Sequence, residues 1–419
     1  EMPSKSYQWE AGAILGDHSK KKHQILREYL SEYLRIRCSV PQQSRFRLAV
    51  VDAFCGGGVY AGGEVGSPII FLDTFCNVSE EINLQRAIDG MAQITFECFC
   101  IFNDEDAAAI AALRNNLAPH IARCQDSEHV RLQVHFMNSE FEDAYPIIKA
   151  RLAGERVTRN VFFNLDQCGS KHVKRETIVD ILRSYQSAEI LLTFAIRAMM
   201  SRLPLRRAPA RDTILRSHGV SLSDVDDLDN LGRKPEWRAA IEQLIFDSYR
   251  NCAPYVSPFA INNPDGWLYW LLHFANEHKA RQVYNDLLHE NSGVQGHMGR
   301  AGLNMLTYDP SNEGIEYLFQ DDDRQRARDQ LMDDIPKAIS EFGDAVLLDE
   351  FLRSVANETP AHSMDINQAM IDNPDIKVET VNGGERRSAS GIRRTDSLIM
   401  KPQRSLFFMP PLKGKREDT

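Results

Sequence analysis

The sequence predicts an α/β fold built on a mostly parallel sheet, and three observations carry that reading. Five β-prone runs, at 46–51 (apolar but for Arg47), 94–102, 131–137, 160–165 and 188–194, alternate with segments of helical periodicity, as βαβ units do. Two further runs, 255–261 and 267–274, flank Asn262-Asn263-Pro264-Asp265-Gly266 and read as a closing hairpin. Glycines and short polar residues collect where the runs end: Asp52 with Gly56, Gly57 and Gly58, then Asn103 to Asp106, Asn138 to Glu140, and Asp166 with Gln167. In open parallel sheets, ligands sit at those carboxyl ends.

Composition narrows the class. The chain has 419 residues, 43% hydrophobic and 26% charged, enough for two domains with a sizeable core. A formal charge of -10 excludes wholesale coating of nucleic acid while leaving room for local basic patches. No apolar run reaches the roughly 18–20 residues of a membrane span, and residues 1–10 lack a basic-then-apolar leader, so a cytoplasmic protein is expected. The 8 cysteines form no Cys-x-x-Cys pair, so neither a zinc module nor a disulfide framework is expected, and no metal ligands are assigned. Cys98 and Cys100 read as small buried side chains on one strand face.

Taken in order, residues 19–37 place Ile25, Leu26, Tyr29, Leu30, Tyr33, Leu34 and Ile36 on a helical stripe that should pack on the sheet, with Ser19 as its cap. His18, Lys22 and His23 lead this helix and could reach a ligand, though the reading preferred is that of solvated N-terminal residues. An apolar stretch at 69–75 precedes a helical segment at 80–91, and a helix through Ile110, Leu113 and Leu117 should stop at Pro119. The long connection 197–251 is an insertion that should shape a substrate mouth. It sets Arg202, Arg206, Arg207, Arg211 and Arg216 before Asp224, Asp226, Asp227 and Asp229.

Helices at 277–290 and 321–339 lead to a boundary near 340–344, dividing the chain into 1–340 and 341–419. Beyond it, helices at 345–355 and 363–371, then short strands at 376–381 and 397–400 around Asn382-Gly383-Gly384, suggest a winged-helix-like domain with a basic tail. Arg386, Arg387, Arg393, Arg394, Lys401 and Arg404 form a candidate nucleic-acid interface, because neutralising phosphates is a job for clustered cations.

The chemistry starts at Asp52-x-Phe54-x-Gly56-x-Gly58. Glycines there let the backbone take positive φ and approach a ligand closely. The spacing resembles the first motif of class I S-adenosylmethionine-dependent methyltransferases. A nicotinamide fingerprint is not met, since Ala61 stands three residues after Gly58. Five alternating strands and a hairpin likewise match the Rossmann-like, seven-stranded methyltransferase sheet. Asp52, Phe54, Gly56 and Gly58 are therefore candidate cofactor residues. Asp104, ending the second strand, can accept both hydroxyl hydrogens of a ribose. Ser139 and Glu140 could meet an adenine amino group, and Asp166 with Gln167 occupies the catalytic position.

Several stretches together resemble one family, the three-Cys-motif partner proteins (TcmP). Lys22-His23-x-Ile25-Leu26-x-x-Tyr29-Leu30 is similar to its leading helix. Val51 to Phe54, Gly56-x-Gly58-x-Tyr60, Gly62-Gly63-Glu64 and Gly66-Ser67-Pro68 resemble its glycine signature, and Asp166-x-x-Gly169 its Asp-Pro-Phe-Gly segment. The resemblance implies a methyltransferase-like Rossmann fold, a winged-helix-like C-terminal region, a partner protein carrying three cysteines, and a role in bacterial or phage conflict.

One departure matters. Base-amine methyltransferases use a motif like Asp-Pro-Pro-Tyr, whose aromatic ring stacks on the base; here Gln167 replaces the first proline and no aromatic follows. The expected function is S-adenosylmethionine-dependent methylation of nucleic acid. The alternatives are a catalytically inactive binding or partner subunit, and metal-assisted phosphate chemistry at Asp52, Asp104 and Asp166.

Overall fold

Strand β1 (Arg45–Asp52) runs through the centre of the molecule with its last five residues buried. Successive side chains of a strand point to opposite faces, and here Leu48 and Val50 enter one core while Ala49 and Val51 enter the other. That two-sided burial is why residues 48–51 are all apolar, whereas the strand's exposed start alternates through Arg45, Phe46 and Arg47. The structure is a computed structural model and describes residues 13–155, 159–167, 172–203, 209–221, 234–263, 266–290, 295–298, 316–317 and 321–402.

Around β1 lie β2 (Thr95–Asp104), β3 (Val130–Asn138), β4 (Asn160–Leu165), β5 (Ser187–Phe194), β6 (Tyr255–Asn263) and β7 (Gly266–Ala275). Short strands β8 (Gln295–Met298) and β9 (Glu316–Tyr317) extend one edge, giving the order β3-β2-β1-β4-β5-β7-β6-β8-β9. Strands β1 to β5 are mutually parallel, and β7 enters antiparallel to both β5 and β6. The first seven positions form a Rossmann-like, mostly parallel sheet of the methyltransferase type. Because β1 has β2 on one side and β4 on the other, the strand order reverses there and a crevice opens at its carboxyl end.

Helices α1 (Asp17–Arg37), α2 (Ser67–Ile88) and α3 (Ala107–Asp126) share one core with α9 (His278–Glu290). Helices α4 (Phe141–Gly154), α5 (Arg175–Ser184) and α8 (Lys234–Arg250) share the other. Short helices α6 (Ile196–Ser201) and α7 (Pro209–Ser217) belong to the expected insertion. Within it Arg211 is buried, whereas Arg206, Arg207 and the acidic run from Asp224 to Asp229 lie outside the described residues. Among the described residues no helix is long and apolar enough to cross a membrane.

Several local expectations change. Helix α1 begins at Asp17 after Gly16, so Ser19 lies inside it and caps nothing. Lys22 and His23, expected in solvent, are each only 8% exposed. Residues 69–91 do not divide; α2 is one helix of 22 residues entered through Pro68 in its first turn. Pro119 sits inside α3, which runs on because Leu117 and Cys124 are both anchored in the core. The segment expected as one helix at 345–355 starts as strand β10 (Ala345–Leu347), since Val346 is buried opposite Leu398, and only then becomes α11 (Leu348–Val355).

The C-terminal region has α10 (Asp321–Glu341), β10, α11, α12 (Ser363–Asp372), β11 (Ile376–Glu379) and β12 (Ser397–Met400), with an antiparallel sheet ordered β10-β12-β11. Helix α10 packs on α12, and Arg324 and Arg328 both reach Asp365, at 2.7 and 3.1 Å. Residues 357–361 are stitched to the main sheet. Arg281 Nη2 donates to the Thr359 carbonyl at 2.8 Å, Asn285 Nδ2 to Pro360 at 2.9 Å, and the Val256 N–H to Asn357 Oδ1 at 2.9 Å. Arg250 pairs with Glu358 on the same seam. One hydrophobic core runs from α1 through α9 to Val346 and Leu398.

Candidate active site

The crevice is built outward from Asp52. Its side chain is fully buried, and Asn164 Nδ2, from the neighbouring β4, donates to Oδ1 at 3.0 Å. Burial pushes its carboxyl up to about 7, against hydrogen bonds from Ser67 and Asn164 that favour the ionised form. Past Asp52 the chain turns through Gly56 (φ 59°) and Gly58 (φ 83°). A Cβ on Gly58 would also come within 2.7 Å of Leu113 Cδ1, so both backbone and space require glycine there.

The loop then folds into a small hairpin that the sequence did not announce. Val59 bridges Val65, the Gly66 N–H donates to the Gly58 carbonyl at 2.7 Å, and the Tyr60 N–H to that of Glu64 at 2.9 Å. The N-terminal segment clasps this hairpin. The Ala61 N–H donates to the Ala13 carbonyl at 2.7 Å, Lys20 pairs with Glu64 at 3.1 Å, and the His23 ring lies 6.1 Å from that of Tyr60.

Asp104 braces the glycine loop. Its Oδ2 accepts the Gly56 N–H at 2.9 Å and its Oδ1 the Asp106 N–H at 3.0 Å. Partial burial raises its pKa, and the two N–H donors work against that rise. Each carboxylate oxygen keeps a lone pair free for another donor. Next to it, buried Asn103 donates to the carbonyls of Ala53 at 3.1 Å and Ser139 at 2.9 Å, tying the tips of β1, β2 and β3 together. Ser139 thus contributes its main chain, while Glu140 is exposed at the start of α4. Phe54 is half-buried, its ring 5.9 Å from Phe141 and 6.2 Å from His172.

At the β4 tip, Lys22 of α1 reaches Asp166, its Nζ 2.5 Å from Oδ1. The pair is partly enclosed, with side chains 10% and 25% exposed. Burial acts to raise the Asp166 pKa, but Lys22, a hydrogen bond from Thr193 and the nearby His23 hold it below the usual carboxylate value. The Lys22 ammonium also stands 5.7 Å from the centre of the Tyr269 ring. Burial keeps His23 neutral, its pKa down at about 4, and its Nδ1 meets no hydrogen-bond partner among the described residues. Gln167 points inward: its Oε1 accepts the His172 N–H at 2.9 Å, and its buried Nε2 meets no partner among the described residues.

Asp52, Asp104 and Asp166 thus end adjacent parallel strands around one glycine loop. Among the described residues no three His, Cys, Asp or Glu side chains are grouped to hold a metal. Lys22, His23, Thr193, Asn103 and Asn164 are site residues that the motif reading passed over. Lys22 was legible, because it precedes Ile25, Leu26 and Tyr29 by three, four and seven residues and so shares their buried stripe.

The basic residues near the C-terminus are largely spoken for. Arg386 makes a bidentate pair with buried Asp396 at 2.9 and 3.1 Å, Arg394 lies 3.4 Å from Asp349, and Lys401 lies 3.9 Å from Glu385. Arg393 is exposed and caps the carbonyls of Ser390 and Ile392; Arg387 is exposed, and Arg404 lies outside the described residues. Asp349 is 3.6 Å from His278, just past the end of β7 that pairs with Glu189 near the start of β5. Arg394 therefore adjoins the amino ends of the parallel strands, away from the glycine loop.

The sequence matches no family model and no curated protein. Among solved structures, the chain is similar to an O-methyltransferase from Bacillus cereus in complex with SAH, at 8% identity over 62% of this chain and 92% of that one, with a TM-score of 0.25. It is also similar to a geranyl diphosphate methyltransferase in complex with GPP and sinefungin, at 12% identity over 60% and 77% of the two chains, with a TM-score of 0.19. The fold assignment rests on the sheet order itself.

Proposed function

We propose that this chain is an S-adenosylmethionine-dependent methyltransferase acting on nucleic acid. The observation that carries the reading is the glycine loop after β1, held open by the Asp104 carboxylate at the point where the strand order reverses. The residues fit such a cofactor: Gly56 and Gly58 carry the main chain through positive φ at the carboxyl end of β1, and Asp104 retains acceptor capacity for ribose hydroxyls. Phe54 offers an apolar wall. Bound there, the cofactor would supply an electrophilic methyl group. The chain's own part is to orient the acceptor at Asp166 and keep water out, catalysis by positioning.

For the C-terminal region we propose a winged-helix reading, supported by the order helix, strand, helix, helix, strand, strand from α10 to β12. Nucleic acid as substrate is supported by exposed Arg387 and Arg393 on its ribbon. A second reading, a non-catalytic partner subunit, is favoured by the occupation of Asp166 by Lys22. Calorimetry with S-adenosylmethionine and its demethylated product separates the two. Tight, saturable binding with methyl transfer to nucleic acid is expected, and absence of binding to either nucleoside overturns the methyltransferase reading.

A further inference from the structure

We infer that the acceptor atom is a hydroxyl oxygen and that Lys22 is a catalytic residue which holds it. The inference rests on the methyltransferase reading and deepens it. A base amine that is to be methylated needs acceptors for its two hydrogens and an aromatic face to stack on. Here the acceptors are in use, and no aromatic residue follows Gln167 in the Asp-Gln-Cys-Gly segment. Gln167 spends its carbonyl oxygen on the His172 N–H, and the side chain is turned into the core with 2% exposure. Asp166 already receives Lys22 on Oδ1 and a hydrogen bond from Thr193.

What the β4 tip presents instead is a donor beside an acceptor. The Lys22 ammonium has three N–H donors, one of which goes to Asp166; the carboxylate has lone pairs beyond those that Lys22 and Thr193 use. A hydroxyl group matches both. It gives its hydrogen to Asp166 and accepts from Lys22 with one lone pair while the other faces the methyl group. An exocyclic base amine has a single lone pair, which must point at the methyl carbon, and so has nothing to offer Lys22. Charge points the same way. Lys22 and Asp166 together are neutral, so the pair can sit beside a sulfonium, whereas an unpaired ammonium would repel it.

The step balances within these groups. The hydroxyl oxygen forms a bond to the methyl carbon as the carbon–sulfur bond breaks and its electron pair returns to sulfur. The proton on the now positively charged oxygen passes to the Asp166 carboxylate and leaves to water when the ether departs. Asp166 suffices as acceptor because a proton on an alkylated oxygen is far more acidic than a carboxylic acid. Lys22 keeps Asp166 ionised until that moment.

The test uses the full chain, its Lys22→Met variant and its Lys22→Arg variant. Binding of the demethylated cofactor is measured first by calorimetry, with thermal unfolding to establish that each variant is folded. Bulk RNA, bulk DNA and a small-metabolite extract are then incubated with a donor carrying a deuterated methyl group, and labelled products are located by mass spectrometry. The expected result is label on oxygen, a loss of at least about 100-fold in Lys22→Met, partial recovery in Lys22→Arg, and nucleoside binding within threefold of the parent in both. Label on a ring or exocyclic nitrogen or on carbon, cofactor binding without any transfer to oxygen, or undiminished transfer by Lys22→Met overturns the inference while leaving the cofactor reading standing. Failure of the parent chain to bind the nucleoside overturns the cofactor reading itself, and this inference with it.

Discussion

Asp104 is the sharpest point at which to perturb the site. Replacing it by alanine removes two charge-assisted hydrogen bonds, to the N–H groups of Gly56 at 2.9 Å and Asp106 at 3.0 Å. Such bonds contribute about 1.5–3 kcal/mol each when enclosed, and this carboxylate is only half-buried, so we take about 2 kcal/mol as the total that holds the loop in its binding shape. A ligand that must restore that order binds roughly 30-fold more weakly. Asp104→Asn should fall between the two, because the amide oxygen can serve one N–H while its NH2 confronts the other. Calorimetry with the demethylated cofactor measures the affinities, and hydrogen exchange at the Gly56 and Asp106 amides reports the loop directly. Affinity of Asp104→Ala within threefold of the parent, with unchanged amide protection, would refute the argument that this carboxylate organises the glycine turn.

Three other outcomes are expected. Gly58→Ala places a Cβ at φ 83° and 2.7 Å from Leu113 Cδ1, so it should destabilise the fold by about 1–3 kcal/mol in urea unfolding; adding Leu113→Ala should relieve the contact but not the backbone strain. Asp52, with its pKa raised to about 7, binds a proton in the folded state that the unfolded chain releases near pH 4, so its contribution is present at low pH and is lost as pH rises toward 7. Urea unfolding from pH 4 to 8 should show Asp52→Asn free of that decline, with a gap growing to about 4 kcal/mol above pH 7. Arg386→Ala should lower the unfolding temperature by stranding buried Asp396, whereas Arg387→Ala should leave it unchanged and reduce the salt dependence of nucleic-acid binding by about one unit of slope.

Much of the sheet was readable because its signals are local. A run such as 160–165, with Val161, Phe162, Phe163 and Leu165, has one good solution, a strand buried on both faces, and it begins and ends where the sequence indicated. Glycines and carboxylates at strand ends marked Asp52, Asp104 and Asp166 for the same reason. The clasp over them was harder to see, since Lys22 and Asp166 are separated by 144 positions and their pairing depends on where α1 crosses the sheet. Pro119 misled because its local rule was outweighed by the core contacts of α3 on either side. Val346 misled because pairing with Leu398, fifty-two residues later, decides its conformation. The arginines of the ribbon read as free charge, yet the acids that neutralise Arg386 and Arg394 come from Asp396 and Asp349, neighbours only once the C-terminal sheet has formed.

The seam that fixes residues 357–361 to α9 and β6 has a geometric result for any substrate. Arg394 adjoins one end of the parallel strands and the glycine loop occupies the other, and β5 alone, with 8 residues, spans roughly 25 Å between them. With the joint stapled, and on the nucleic-acid reading proposed above, that separation would act as a ruler: a short oligonucleotide would touch the ribbon or the crevice, and only a polymer long enough to bridge both would be gripped and presented at once.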